Sequence, residues 1–259
     1  MDKELMLVFV SLFIILLLIM FLLWEITATR HQKENRLRDE EMSYIMHDIK
    51  APLNSIKGFA QGIIDGTISK GDEEKYLQII KSESERLSKI AEDYAVYKKL
   101  DSARLVKDDV KVYPLICEIL LSFEKTITEK GISLKGIEDI ENSEVKNISV
   151  KGDKDLLHRA FYNLIDNSVK YTTDGGLIWL YITADDKKVE VTVKNSSDIS
   201  VEDASKIFND GYRSDTSKDK KGTGLGLSIV KKISMLHKGD ASATAENGNL
   251  SVSVVIPLK

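Results

Sequence analysis

The chain has a single cysteine, Cys117, so it can close no internal disulfide and has no second thiol to offer a zinc site. That usage suits a reducing compartment, and Cys117 reads as a small buried hydrophobe. No sign of charge dominates either. With 41 acidic against 37 basic side chains the net charge is −4, which excludes the basic face that direct nucleic-acid binding needs. Internal repeats and low-complexity tracts are missing.

Charge is absent altogether from one long stretch. Leu5 to Trp24 is 20 residues interrupted by one polar side chain, Ser11. At about 1.5 Å of rise per residue it covers roughly 30 Å, the thickness of a bilayer's hydrocarbon core. A transmembrane helix is expected there; the alternative, a cleaved signal peptide, calls for a shorter apolar region and a small-residue cleavage site. Arg30, Lys33, Arg36 and Arg38 follow the run, against Lys3 before it, so the bulk of the chain is expected in the cytoplasm. The reading is a single-pass cell-membrane protein with residues 1–4 as a short extracytoplasmic end, a span over 5–24 and a helical linker over 25–41. With so little outside, any input would come from within the bilayer or from a membrane or cytoplasmic partner.

From Met42 the apolar positions Met42, Met46, Ile49, Leu53, Ile56, Ala60 and Ile63 alternate spacings of four and three, the seam of a bundled helix. Asp65-Gly66 ends it. Asp72 is the expected N-cap of a second helix, with Glu73 and Glu74 at the positive end of its dipole and a seam through Leu77, Ile80, Ser84, Leu87, Ala91 and Tyr94. Residues 42–102 therefore form a helical hairpin, and its thin core calls for a second copy to complete a four-helix bundle. Residues 103–259 change texture: a helix around Leu115 to Phe123, a strong helix from Asp153 to Tyr171, strands at Leu177–Ala184 and Val189–Lys194, a helix near Leu227–Leu236 and a last strand ending in Val254-Val255-Ile256-Pro257. Strands and helices without regular alternation indicate an α+β sandwich.

Ser43 to Ile56, with His47, Asp48, Pro52 and Leu53, resembles the phospho-acceptor box of histidine kinases. A neutral imidazole is nucleophilic at cytoplasmic pH, which is what a phosphoryl acceptor requires. Residues adjacent on a helix do not face each other, so spacing alone does not pair Asp48 with His47. The resemblance implies that Asp48 holds or deprotonates the imidazole. Pro52 removes the amide that would bond the Asp48 carbonyl, so either a bend beside the acceptor or a simple irregularity is expected. In the same family a Thr or Asn four residues after the histidine positions the water that removes phosphate from a partner. Here that position is Ala51, which implies weak phosphatase activity.

In the Asp153–Tyr171 helix, Leu156, Leu157, Ala160, Phe161, Leu164, Ile165 and Val169 share one face, and Asn163, Asn167 and Lys170 the other. Amide oxygens suit Mg²⁺ and a lysine suits phosphate, although a solvated polar face has the same look. Asn163 through Thr172 resembles the N box of the GHKL, or Bergerat-type, ATP-binding fold, which implies Mg²⁺ on Asn167 and Asn163, with Lys170 and Tyr171 at the nucleotide. Gly222-Thr223-Gly224-Leu225-Gly226-Leu227 opens a helix after Lys218–Lys221, so its amides can cradle phosphates; it resembles that fold's glycine box. Ile207 to Arg213 is similar to its Phe-containing motif, with Arg213 at the nucleotide and Gly211 where an aromatic residue is common, implying a looser segment. The Asp-x-Gly-x-Gly box is not kept. The phase of Val189, Val191 and Val193 puts Asn195 in the Asp position, where an uncharged carbonyl would accept the adenine amino group's bond more weakly.

Taken together, these motifs identify the chain as a member of the sensor histidine kinases. The membership implies a homodimeric protein-histidine kinase that phosphorylates His47 from ATP and passes the group to an aspartate of a response regulator. A membrane-anchored pseudokinase scaffold, suggested by the altered adenine box, and a regulator acting chiefly as a phosphatase are the other two readings.

Overall fold

The structure is a computed structural model that describes residues 3–197, 199–212 and 223–258; the side chains of 3–15, 30–31, 33–41, 44 and 47 also lie outside the description. It divides into two compact units, Met1–His47 and Asp48–Lys259.

Helix α1 is assigned over Lys3–Ile64. Among the described residues no helix is long and apolar enough to cross a membrane. Of the expected span, the side chains of Leu16 to Trp24 are described, and each is between 43% and 66% exposed. Nine residues cover only about 14 Å at the helical rise.

In the second unit α1 continues without interruption through Pro52, so the missing amide does not break the helix. It stops where Gly66 takes a φ of +69°, as Asp65-Gly66 predicts. Helix α2 (Glu73–Leu100) starts with Glu73 and Glu74 as read, and Asp72 stands at its N-cap position, but its carboxylate accepts from the Ser69 hydroxyl at 2.7 Å instead of from a helix amide. The last turns of α2 bury residues outside the expected bundle seam. Ser84 and Ala91 are exposed, whereas Ile90, Asp93, Tyr97 and Leu100 are buried. The reason is tertiary: the last turns of α2 pack on α5 and α7 of the following domain, introduced next.

That domain runs β1 (Asp108–Lys111), α3 (Val112–Glu129), β2 (Ser133–Lys135), α4 (Ile137–Glu141), a 3-10 turn (Glu144–Asn147), β3 (Ser149–Gly152), α5 (Lys154–Tyr171), β4 (Leu177–Ala184), β5 (Lys188–Ser196), α6 (Val201–Lys206), α7 (Gly226–Leu236), β6 (Asp240–Glu246) and β7 (Asn249–Pro257). β1 pairs antiparallel with β3, and the main sheet is ordered β2-β4-β5-β7-β6 with only β2–β4 parallel. Burial alternates along β4, β5 and β7, so one face of the sheet carries the core. Ile178, Leu180, Val191, Val193, Val252 and Val254 from that face join Ile116, Leu157, Phe161 and Leu164 from the helices in one apolar cluster. The result is a two-layer α+β sandwich, as expected.

Helix α5 is fixed at its start by Asp153, whose side chain accepts the Leu156 amide at 3.2 Å. The same turn holds a buried histidine, His237, 6% exposed at the end of α7. Its Nε2 accepts the Asp153 amide at 3.0 Å and its Nδ1 lies 2.8 Å from the Ile233 carbonyl, so the neutral ring ties the end of α7 to the start of α5. A proton on Nε2 would face a donor. Burial pushes the His237 pKa down, opposed by the Ile233 carbonyl and Asp153 and aided by Lys107. The unfolded chain then binds more protons in the window below the ordinary histidine pKa of about 6.5, so this contribution is complete above that pH and lost as pH falls. The melting temperature of the soluble part should therefore drop between pH 7 and 5, and His237→Gln, which keeps a donor and an acceptor but cannot titrate, should flatten that part of the profile. Parallel profiles for the two proteins would refute it.

Candidate functional site

Helix α5 supplies the framework. Its apolar face, Leu157, Ala160, Phe161, Leu164, Ile165 and Val169, is buried as the periodicity predicts, which leaves Asn163, Asn167 and Lys170 one turn apart on another side of the helix. Asn163 is itself only 6% exposed, and its Nδ2 donates to the Gly226 carbonyl at 3.3 Å. This bond joins the Asn-rich helix to the glycine run. A Cβ on Gly226 would come 3.9 Å from Asn163 Cγ, an ordinary contact. Because the amide nitrogen serves Gly226, the Oδ1 of Asn163 is the atom suited to a hard cation, and half-buried Asn167 follows one turn later. Among the described residues no cluster of three His, Cys, Asp or Glu side chains could hold a metal, so a cation here would rely on these carbonyl oxygens and on phosphate.

Lys170 is half-buried, its ammonium 4.9 Å from the centroid of the Tyr171 ring. The Lys130 ammonium donates to the carbonyls of Val169 and Thr172 at 2.9 Å each and so fixes the end of α5 that carries the pair. Beside them, burial raises the Asp166 carboxyl above the usual carboxylate range; Lys170 and Lys89 pull it down and Asp93 pushes it up. Asn195 lies where strand phase puts it: 2% exposed, on the buried face of β5, opposite Ile178 and Leu250, its Nδ2 donating to the Ser196 carbonyl at 3.0 Å.

The glycine run is divided between roles. Leu225 and Leu227 are 1% and 9% exposed, so their side chains serve packing and only their backbone can meet a ligand. Gly224 has a φ of +66°, and a Cβ there would stand 2.8 Å from the Gly211 carbonyl carbon. Gly211 has a φ of +70°, where an aromatic side chain would be strained, so two glycine backbones meet where the Phe-containing motif ends. Arg213 and Gly222 lie outside the described residues. His47 is on α1, but its side chain is outside the description; Asp48 after it is half-buried.

Three residues escape a reading of the sequence. Asp93 and Tyr97 of α2 and Arg159 of α5 converge here, Arg159 Nη2 donating to Asp93 at 2.8 Å. No motif contains them; the one signal was that Asp93 and Tyr97 stand one turn apart in a helix, off its expected seam.

A sandwich with an Asn-rich helix bonded to a glycine run, preceded by a helical hairpin carrying His47, defines an ATP-binding domain attached to a phospho-acceptor. Residues 37–103 match the His Kinase A (phospho-acceptor) domain, and residues 152–259 match the histidine kinase-, DNA gyrase B- and HSP90-like ATPase family. With both domains in this order, the chain belongs to the two-component sensor histidine kinases. It is 25% identical to sensor histidine kinase WalK of Bacillus subtilis over 241 residues, 90% of this chain and 38% of WalK. It is 29% identical to histidine-protein kinase BaeS of Escherichia coli over 238 residues, 90% of this chain and 49% of BaeS. The chain thus spans less than half the length of these curated relatives. Among solved structures, histidine kinase ThkA in complex with response regulator protein TrrA superposes with a TM-score of 0.68 at 24% identity, covering 89% of this chain and 66% of that one, and so shares the fold.

If the Gly224–Gly211 approach shapes the site, Gly224→Ala should lower affinity for a fluorescent ATP analogue at least tenfold while circular dichroism stays unchanged. Unaltered affinity would show that the backbone contact is incidental.

Proposed function

We propose that this chain is a membrane-anchored sensor histidine kinase that transfers the γ-phosphoryl group of ATP to His47 and then yields it to an aspartate of a response regulator. The observation that carries the reading is the Asn163–Gly226 bond, which joins the two nucleotide-facing elements of the ATPase-family domain in a chain that also has the His47 box. Phosphoryl transfer asks the protein mainly for positioning and charge neutralisation. In this reading Lys170 pairs with phosphate, Tyr171 and Asn195 serve the base, and the backbone amides of Thr223 to Leu227 receive phosphate oxygens at the start of α7. Arg213 and Gly222 complete the same cradle by their place in the motifs. Mg²⁺, held through Asn167 and the Oδ1 of Asn163, would supply neutralisation of the phosphate charge. Asp48 orients the His47 imidazole or takes its proton.

A homodimer is supported by Leu53, Ile64 and Leu77 of the hairpin, which are 51%, 77% and 53% exposed and need a second copy to cover them. Anchoring at 5–24 is supported by the unbroken apolar exposure of Leu16 to Trp24, since a helix apolar on all sides belongs in a hydrocarbon or a large core. The basic residues after it favour a cytoplasmic catalytic part. The ThkA complex, which contains a response regulator, is in keeping with such a partner.

Incubation with radiolabelled ATP and Mg²⁺ should give acid-labile label that His47→Gln abolishes and Asn167→Ala reduces at least a hundredfold, with the fold retained. Label surviving in His47→Gln would overturn the assignment. Ala51 is exposed, one turn after His47 on α1, and has no group to orient water. The protein should therefore barely speed the decay of its phosphorylated regulator, and Ala51→Thr should raise that rate by about 10²-fold, the usual size of such a contribution. Rapid decay with the natural protein would refute this.

A further inference from the structure

Helices cover one side of the main sheet, where the core lies. On the other side every outward-pointing residue of the five strands is half-buried or exposed, so no described element covers that face. Cross-strand register fixes its chemistry. Lys135 of β2 stands opposite Trp179 of β4, Trp179 opposite Lys194 of β5, Lys194 opposite Ser251 of β7, and Ser251 opposite Thr244 of β6. A tryptophan is thus set between two lysines, and two hydroxyls continue the row. Leu177 and Tyr181, two residues to either side of Trp179 along β4, point the same way, and Tyr181 is 43% exposed. Lys194 Nζ lies 5.2 Å from the centroid of the Trp179 ring.

Among the described residues no carboxylate pairs with Lys135 or Lys194. The acids of the same face stand apart from them. Asp240 and Glu246 are on β6, three strands or roughly 14 Å from β4, and Glu190 is opposite Thr183, beyond Tyr181. An open patch of Leu177, Trp179 and Tyr181 beside uncompensated lysines has what a binding face needs: aromatic area for contact and cations that select an anionic partner. Two lysines are too few for a phosphodiester chain in a protein of net charge −4. An added strand has no place either, because β2 offers an edge of three residues and the β6 edge begins and ends on the exposed carboxylates of Asp240 and Glu246. A helix laid across the strands fits, since it would give the sheet the second helical layer that it lacks.

We propose that the outer face of the sheet docks an acidic amphipathic helix of a partner protein, with the helix's apolar stripe on Leu177, Trp179 and Tyr181 and its carboxylates on Lys135 and Lys194. The hydroxyls of Ser251 and Thr244 extend the row with donors for further carboxylates. Helices α5 and α7 lie across the sheet from this face, so the partner binds without displacing anything held there.

The sequence supplies its own probe, because Trp24 and Trp179 are the two tryptophans. The full chain carrying Trp24→Phe, in phosphatidylcholine nanodiscs, is titrated with a synthetic helical peptide that has leucines at i, i+3, i+4 and i+7 and glutamates and alanines elsewhere. Trp179 emission should shift to the blue as the peptide covers the ring. The same peptide with glutamine for glutamate should bind about fivefold more weakly or worse, and Lys135→Gln combined with Lys194→Gln should weaken the glutamate peptide by a similar factor, the loss expected of two exposed ion pairs. Circular dichroism and melting temperature check that the double variant is folded; if it is not, Lys135→Gln alone, at an exposed strand end, carries the comparison. No shift with the glutamate peptide, equal affinity for the two peptides, or undiminished affinity in the folded lysine variant overturns the proposal. So does a blue shift on replacing phosphatidylcholine by phosphatidylserine with none on adding peptide, which would assign the face to lipid.

Discussion

Helix α5 has to satisfy two demands with one set of residues. Its apolar stripe, with Leu157, Phe161 and Leu164 almost fully buried, anchors it to the inner face of the sheet and to α3. Its other face must stay polar yet rigid enough to present Asn163, Asn167 and Lys170. Rigidity comes from both ends: Asp153 caps the start, where His237 also ties in α7, and Lys130 holds the carbonyls at the finish. Between those ends Asn163 is a buried amide, tolerable only because it has a carbonyl to bond. The site is thus a by-product of how α5 and α7 pack, and the chemistry sits on elements that the core already immobilises.

The packing of α7 follows from the glycine run. Leu225 and Leu227 turn inward, Leu225 into a cluster with Tyr97, Leu100, Ala160, Ile229 and Ile233. This second cluster differs from the main core in that it contains residues of the hairpin. Apolar contact brings α2 to the domain, and polar contacts then select a register in which Asp93 and Tyr97 meet Arg159, Thr223 and Asp210. A buried carboxylate adds little net stability, but its demand for specific partners makes the docked arrangement distinct from a nonspecific apolar one.

Much of this was legible in advance. Period and spacing located α5, β4 and the end of α1 nearly to the residue, because a strongly amphipathic helix, an alternating strand and an Asp-Gly stop are decided within a few residues of chain. Strand phase alone put Asn195 inward. The burial at the end of α2 was not legible, for the opposite reason. Heptad spacing assumes that the helix buries itself in its own bundle, whereas Ile90, Asp93, Tyr97 and Leu100 face a domain that begins beyond the hairpin. The small β1–β3 ribbon was also beyond reach, since four-residue strands signal weakly and their partners are far apart in sequence.

By itself, then, the sequence determined the strong helices and the longest strands, the apolar face of each strong helix and which polar residues share a helix face, because all of these depend on periodicities of a few residues. Only the tertiary structure decided that Asn163 bonds Gly226, that Gly211 and Gly224 touch through their backbones, and that Asp93 closes on Arg159 and Thr223. Those contacts join residues 13 to 130 positions apart. Their partners are chosen by where the sheet and helices bring the chain together, which no local spacing encodes.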